Sequence, residues 1–371
     1  MDKKLTVLIL YQFQEHDNLL IRLKEKLKSK NIELSLFNTR TFMFSEKLNK
    51  FWFLQHLIKI PKIRVIVYLL FRNKIILSLA KNYEIIDIHY FSTIYDHVLE
   101  KLNHMNVKIS FWGSDAYRIS EERKQNLNKI TGYSKIIRFN TVEMYEKMDS
   151  FFEQKEKLGH QIFGNSFFDS IREIKISKTD AKRKLNIPTE KTSVFVGYNA
   201  SKGQQHKLIL NKLSELPSGI KSEIVLVLPL TYGGNQIWKE EIIENAKNTG
   251  IEIKAFCEEL TEKEICLLRL SSDIVLNFQI SDAFSGSLQE HFYTNSIMIL
   301  GEWLPYKWLA SKGLFFYAIN ENQIIELISK IIENFEQEKQ KFESNKNIIY
   351  SISSWETVTE LWANEYKQMI K

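Results

Sequence analysis

The stretch DIVLNFQISDAFSGSLQEHFYTNSIMILG, Asp273–Gly301, decides the fold. Its two ends, DIVLNF (Asp273–Phe278) and SIMILG (Ser296–Gly301), are short continuous apolar runs. Between them the small-residue loop Phe284-Ser285-Gly286-Ser287 opens a helical stretch. Strand, helix and strand in so short a span make a parallel unit, and strands that are apolar throughout are covered by helices on both faces. The pattern extends outward from here. SVFVGYNA (Ser193–Ala200), SEIVLVLPL (Ser222–Leu230) and IEIKAF (Ile251–Phe256) precede it, each separated from the next by a helical stretch. In the first half, KLTVLILY (Lys4–Tyr11) leads through a helix from about Asn18 to Lys30 into a second strand at Ile32–Phe37, a βαβ opening. YEIIDIHYF (Tyr83–Phe91), VKISFW (Val107–Trp112) and KIIRFN (Lys135–Asn140) continue that series. The expected class is α/β, with two Rossmann-like doubly wound parallel-sheet domains facing across a cleft.

The 371 residues are too many for one compact core and suit two domains of about 150 residues each. The periodicity lapses at Ile174–Thr179, ahead of Pro188. The expected division is therefore a first domain at residues 1–168, a linker with a short helix at 169–190, a second domain at 191–345 and a C-terminal helix at 346–371. In that helix Trp355, Val358, Leu361, Trp362 and Tyr366 recur at helical spacing, and it is expected to pack back on the first domain. Apolar residues at 44% and charged residues at 26% exclude disordered, collagenous and coiled-coil classes. Two cysteines, Cys257 and Cys266, offer neither a disulfide framework nor a metal spacing, which suits a reducing, cytoplasmic setting. The amino terminus reads as a first strand and not as a signal peptide, and no window approaches the ~18 unbroken apolar residues of a spanning helix.

Net charge is +6, and its placement matters more than its size. Between Ser45 and Ala80 stand Lys47, Lys50, Lys59, Lys62, Arg64, Arg72 and Lys74 against the single acid Glu46, so this window equals the excess of the whole chain. The same window holds Phe51, Trp52, Phe53 and the run VIVYLLF, interrupted by Pro61. It reads either as a helix pair at an anionic lipid surface, with Lys and Arg reaching headgroups, or as core helices with a solvated basic rim. Nucleic acid is an unsuitable partner, because the bases are interleaved with long aliphatic runs and the rest of the chain is neutral.

Backbone N–H groups at a helix start are unpaired, and together with the helix dipole they make the 284–287 turn an anion site fit for a diphosphate. Asp282 and Glu290 flank it with seven residues between them. In the loop Asp282 can accept hydrogen bonds from sugar hydroxyls, and Glu290, two turns into the helix, can hold a ribose diol. The plain alternative is an N-cap and a surface charge. A second strand, loop and helix, VFVGYNASKGQQHKL (Val194–Leu208), carries Gly197, Asn199, Lys202 and Gly203. This is a phosphate cradle in which Lys202 supplies charge and Asn199 a neutral donor.

On the Asp282 to Glu290 spacing the chain resembles the retaining GT-B glycosyltransferases of the large family 4 type, whose signature is Glu, seven residues, Glu, then a small hydrophobic helix and a Gly-x-Pro-Val strand. Here Asp282 takes the place of the first acid, Asn295 stands where Gly is frequent, and Ile297 replaces Pro. Those enzymes have an Arg and a Lys in the cradle loop. The shorter loop here is more similar to that of the acetamidofucosyltransferases that extend undecaprenyl-linked common antigen, which also have a His where His206 lies. LPLTYGGNQIWKEEI (Leu228–Ile242) resembles the following region of the same enzymes. The plain alternative for His206 is a partly exposed helix residue.

ISFWGSDAYR (Ile109–Arg118) follows a first-domain strand, and Trp112, Gly113, Ser114, Asp115 and Tyr117 match the Trp-Gly-Ala-Asp and Tyr form found in those groups. The resemblance implies an acceptor site here. Gly113 lets the backbone turn against a ligand, Trp112 can stack on a sugar, and Asp115 is either a base for the acceptor hydroxyl or a helix cap. Arg118 faces a phosphate or pairs with Glu121 or Glu122. His89, at the end of DIHYF, is a polar contact in the cleft or a satisfied structural residue. His56, His97, His104 and His160 give no metal spacing, and no Asp-x-Asp pair occurs, so chemistry without a metal cofactor is expected, with Lys202 and the helix start neutralising the leaving diphosphate. The implied activity is transfer of a sugar from a nucleotide-diphosphate donor to a hydroxyl of a glycan or lipid-linked acceptor at the anionic inner leaflet, in surface polysaccharide assembly. The alternatives are a nucleotide-sugar epimerase of the same fold and a catalytically silent binding protein.

Overall fold

The computed structural model describes residues 3–13, 17–40, 72–117 and 120–371. Arg118 and the 45–71 part of the basic window lie outside the described residues. The chain divides into two units, one made of Met1–Gly164 with Trp355–Lys371 and the other of Asn165–Ser354.

The first unit is built on β1 (Leu5–Tyr11), β2 (Ile32–Asn38), β3 (Ile85–His89), β4 (Asn106–Phe111), β5 (Ile136–Phe139) and β6 (Leu158–His160). All pair in parallel in the order β2-β1-β3-β4-β5-β6, so the strand order reverses between β1 and β3. One face packs Leu8, Leu10, Ile86, Ile88, Ile109 and Phe139 into a buried core. The other is covered by the Asp17–Lys28 helix, which turns Leu20, Leu23 and Leu27 inward, and by the Trp355–Met369 helix with Trp355, Val358, Trp362 and Tyr366. The single helix expected over the tail is two. Asn345–Ser353 belongs to the second unit, Ser354 is extended (φ −68°, ψ 148°), and Trp355–Met369 belongs to the first. At Gly164, where the chain leaves the first unit, a Cβ would come within 2.4 Å of the Trp355 ring, so only glycine fits there.

The face under the C-terminal helix carries charge. Asp87 and His89 on β3 lie in register with Lys108 and Ser110 on β4, and Ser110 with Arg138 on β5. Asp87, His89 and Lys108 have no exposed surface. Asp87 accepts from Ser110 Oγ at 2.9 Å and from Tyr366 OH at 2.7 Å, and Lys108 Nζ lies 3.6 Å from it. The same ammonium pairs with Glu365 at 2.7 Å, donates to Gln161 Oε1 and sits 3.7 Å from the Trp362 ring centre. Burial alone would raise the Asp87 carboxyl, but His89, Lys108 and Tyr366 together hold it well below the usual carboxylate range.

The second unit contains β7 (Thr192–Val196), β8 (Ile224–Pro229), β9 (Glu252–Phe256), β10 (Ile274–Asn277), β11 (Ile297–Gly301) and β12 (Tyr317–Ile319), in the order β12-β11-β10-β7-β8-β9. Every pairing is parallel, which is the doubly wound Rossmann order with its reversal between β7 and β10. The short helix expected within the linker at 169–190 is Lys178–Lys184; a further helix, Phe167–Glu173, precedes it, and both belong to this unit, so the segment is no free linker. Its weak apolar periodicity reflects an anchor of another kind. Lys178 and Lys182 bind the two oxygens of buried Asp273 at 2.8 and 2.5 Å, and although burial opposes ionisation these two cations lower its carboxyl to about 2.

Candidate functional site

In an open parallel sheet ligands bind beyond the carboxyl ends of the strands where the order reverses. In the second unit that place is bounded by the loops after β7 and β10. The first begins at Gly197 (φ 66°), where a Cβ would lie 2.9 Å from Gln204 Oε1. Tyr198 N donates to Gln204 Oε1 (3.2 Å), Ser201 N to Asn199 Oδ1 (2.8 Å) and Ala200 N to Tyr232 O (2.7 Å). After the Lys202–Gln204 turn the helix His206–Leu213 starts.

The loop after β10 is bonded directly to this one. Ile280 N donates to Gly203 O at 2.9 Å, and Gln279 Oε1 accepts from Tyr198 OH (3.1 Å) and Gln204 Nε2 (2.9 Å). Lys202 and the helix start at Gly286 therefore stand on two loops that are hydrogen-bonded to each other. Asp282 organises the second loop by accepting from Ala283 N (2.8 Å), Ser285 Oγ (3.1 Å) and Tyr306 OH. Burial raises its carboxyl in spite of these donors. Ser285 caps the Gly286–Tyr293 helix through Leu288 N, and Ser287 is buried with its hydroxyl oxygen unpartnered.

Backbone strain marks the same edges. Among the described residues with positive φ, Asn31, Asn186 and Asn295 are of the type that tolerates it, whereas Tyr90, Gln205 and Phe284 are not. Tyr90 follows β3, Gln205 precedes the first helix of the β7 loop, and Phe284 precedes Ser285. Phe284 is kept in place by its ring edge against Trp308 (5.1 Å) and by Gln289 Nε2 on its carbonyl (2.8 Å).

Glu290 is no surface charge. It is 4% exposed, its Oε2 accepts from Arg269 Nε at 2.8 Å, and its Oε1 lies 3.4 Å from Asn165 Nδ2. A Cβ on Gly286 would stand 3.3 Å from Oε1, so this oxygen faces the first turn of the helix. Lys202 is exposed, its ammonium 5.4 Å from the Trp238 ring centre, and the indole N–H holds Ala200 O at 2.8 Å. Asn199 is 7% exposed and its carbonyl oxygen is used within the loop. His206 departs from the expectation of a helix-start contact and from that of a partly exposed residue. It has no exposed surface, neither ring nitrogen has a partner, and burial lowers it to about 4. The reason is Gly197, whose missing side chain lets the ring lie directly beneath the loop.

In the first unit Asp115 is 5% exposed and accepts three backbone N–H groups, from Trp112 (2.9 Å), Gly113 (2.8 Å) and Phe91 (2.9 Å). It thus ties the turn after β3 to the turn after β4. Burial outweighs those donors and lifts the carboxyl to about 6. A raised carboxyl binds its proton more tightly in the folded chain, so its contribution to stability is full at acid pH and is lost as pH rises from near 4 through 6. The Asp115 carbon resonance is expected to titrate near pH 6 in 13C NMR, and a midpoint near 4 would refute this. Gly113 has open space beside it. His89 is not a ligand contact: with no exposed surface it is enclosed by Trp112, Phe163 and Trp362, and its Nδ1 accepts from Trp112 Nε1 at 3.1 Å.

Tyr198, Gln204, Gln279 and Tyr306, which hold the second-unit loops together, were not legible as site residues. Their only signal is polar side chains directly after apolar strands. Among the described residues no group of three or more His, Cys, Asp or Glu could hold a metal ion, and no helix is long and apolar enough to cross a membrane.

Two doubly wound parallel-sheet units in one chain constitute the GT-B fold. Solved structures share it over nearly their whole length. A glycosyltransferase from Rickettsia africae ESF-5 is 14% identical, with 99% of each chain covered and a TM-score of 0.73. Anabaena Alr3699/HepE in complex with UDP is 11% identical, covering 98% of this chain and 100% of that one at a TM-score of 0.70. UDP-GlcNAc 2-epimerase from Neisseria meningitidis, bound to UDP-GlcNAc, is 13% identical over 98% and 100% at 0.62. No family model matches the sequence, and no curated protein matches it.

Proposed function

We propose that this chain is a glycosyltransferase that moves a sugar from a nucleotide-diphosphate donor to a hydroxyl of a glycan acceptor. The observation that carries the reading is the bonded pair of loops at the β7/β10 reversal, which brings exposed Lys202, the capped helix start at Ser285 and the buried carboxylate of Glu290 to one sheet edge. The fold shared with structures holding UDP and UDP-GlcNAc supports it. In this reading the second unit binds the donor: the Gly286–Tyr293 helix start and Lys202 neutralise the departing diphosphate, the largest catalytic term, and Glu290 holds the ribose. The first unit handles the acceptor. Asp115, with both oxygens on backbone N–H groups, positions the Trp112-Gly113 turn rather than taking the acceptor's proton. The basic and aromatic window from Ser45 to Ala80 supports a lipid-linked acceptor at an anionic inner leaflet, within surface polysaccharide assembly.

Purified protein incubated with nucleotide sugars and a membrane extract tests this. Transfer to lipid is the expected result. Interconversion of the free donor would replace the reading with the epimerase, and neither would leave a binding protein. Lys202→Ala is expected to lower kcat by about a hundredfold. Because Lys202 is exposed, the melting temperature of the ligand-free protein stays as it was. Steady-state kinetics check both, and an unaltered kcat removes Lys202 from the reaction.

A further inference from the structure

Seven large apolar side chains are exposed among the described residues; three of them, Tyr232, Ile280 and Trp303, stand on loops at the carboxyl ends of β8, β10 and β11, and a fourth, Ile237, lies in the first turn of the Gln236–Lys247 helix that follows β8. Of these, Ile280 and Trp303 follow the neighbouring strands β10 and β11, at the edge where a parallel sheet binds ligands, and point to a ligand that brings an apolar face. Trp303 is the one built to receive it. Its indole N–H donates to Gln279 O at 2.8 Å, and Gln279 is the residue that joins the two loops of the site. Phe278 meets its ring edge-on at 5.8 Å. The indole lies over Gly301, where a Cβ would come within 2.6 Å of it, so a larger residue at 301 would displace the ring. The orientation is thus locked by a hydrogen bond, an aromatic edge and a glycine floor, while 43% of the residue remains exposed.

We propose that Trp303 is the stacking platform for a ring of the nucleotide-sugar donor, either the plane of the base or the C–H face of the sugar. An indole held in place meets such a face with little loss of rotamer freedom. The proposal rests on the transferase reading of the same edge and adds the residue that selects the ring. Ile280, 66% exposed on the adjoining loop, extends the apolar surface beside it.

The test uses the full chain and titration calorimetry with UDP, dTDP, UDP-glucose and UDP-GlcNAc. Trp303→Ala is expected to weaken binding roughly five- to tenfold, and Trp303→Phe to restore most of it. Loss for diphosphates and nucleotide sugars alike assigns the base, and loss for nucleotide sugars alone assigns the sugar. In 5-fluorotryptophan protein the 19F resonance missing from Trp303→Phe is expected to shift on ligand addition, a readout that a supporting role would not move. Unaltered affinities in Trp303→Ala, or an unshifted Trp303 resonance at saturation, overturn the platform while leaving the transferase reading intact. Failure of the unmodified protein to bind any of the four overturns both.

Discussion

Under the transferase reading, Glu290→Gln is expected to remove the rise in melting temperature that a nucleotide-sugar donor gives the protein. A ligand that binds only the native state at a hundred times its Kd stabilises it by about 2.7 kcal/mol, so the shift being lost is large. Glu290 is nearly buried, with Arg269 on one oxygen and the other facing the first turn of the Gly286–Tyr293 helix. Glutamine keeps the shape and an acceptor for Arg269, but loses the charge and one of the two acceptors a ribose diol requires. Hydrogen bonds to a charged acceptor are worth about 1.5–3 kcal/mol each. Alanine confounds this test, because it also strands Arg269, 7% exposed, without its carboxylate. Breaking such a pair costs about 3–5 kcal/mol, and Glu290→Ala is expected to melt early with or without ligand. Differential scanning fluorimetry with and without UDP-glucose and UDP-GlcNAc distinguishes the variants. A full ligand shift in Glu290→Gln would remove Glu290 from the ribose.

The largest loss of stability is expected in the first unit, from Lys108→Met. Lys108 has no exposed surface and is a cation shared by Asp87 and Glu365. Methionine fills the volume but leaves two carboxylates facing each other's field with Arg138 serving only Glu365. Removing one partner of a buried ionic group costs about 3–5 kcal/mol, whereas replacing the group as a whole by neutral residues costs far less. Lys108→Met, Asp87→Asn and Glu365→Gln together are therefore expected to be more stable than Lys108→Met alone. Amide hydrogen exchange in β3 and β4 measures the effect without treating the two units as one transition. The pH dependence has a definite sign. Because the Asp87 carboxyl is held below its unfolded value, its contribution is present above the usual carboxylate range and lost as pH falls toward the lowered value. Lys108→Met should weaken that acid dependence. Equal protection in the variant and the parent chain would show that the charges are not coupled to folding.

The residues of that network stand in the sequence without a local signal that joins them. DIHYF, VKISFW and KIIRFN each carry polar groups two residues apart inside apolar runs, a pattern that by itself reads as strands covered on both faces by apolar helices. Parallel register places Asp87 beside Lys108 and Ser110 beside Arg138, and only the strand order β3-β4-β5 reveals it. The tail was legible as amphipathic, because Val358, Trp362 and Tyr366 share a helix face, yet its break at Ser354 was not, since Ser is compatible with helix and extended chain alike. His89 is a candidate contact by its place at a strand end and His206 by its place at a helix start, and both are buried, because position along the chain does not tell which way a ring turns.

The alternation of apolar runs and helical stretches by itself determined the two parallel α/β halves, because period and length are local properties that a strand or helix carries wherever it packs. It also located the 284–287 turn and Lys202, since a helix start and a small-residue loop are read within a few positions. Only the tertiary structure decided that the β7 and β10 loops are bonded through Gln204 and Gln279, that Glu290 is paired with Arg269 and that Trp303 is fixed with its ring exposed. Those contacts join residues 75, 21 and 24 positions apart. Which of many polar and aromatic side chains meet across such separations is set by strand order and burial, quantities that no single segment contains.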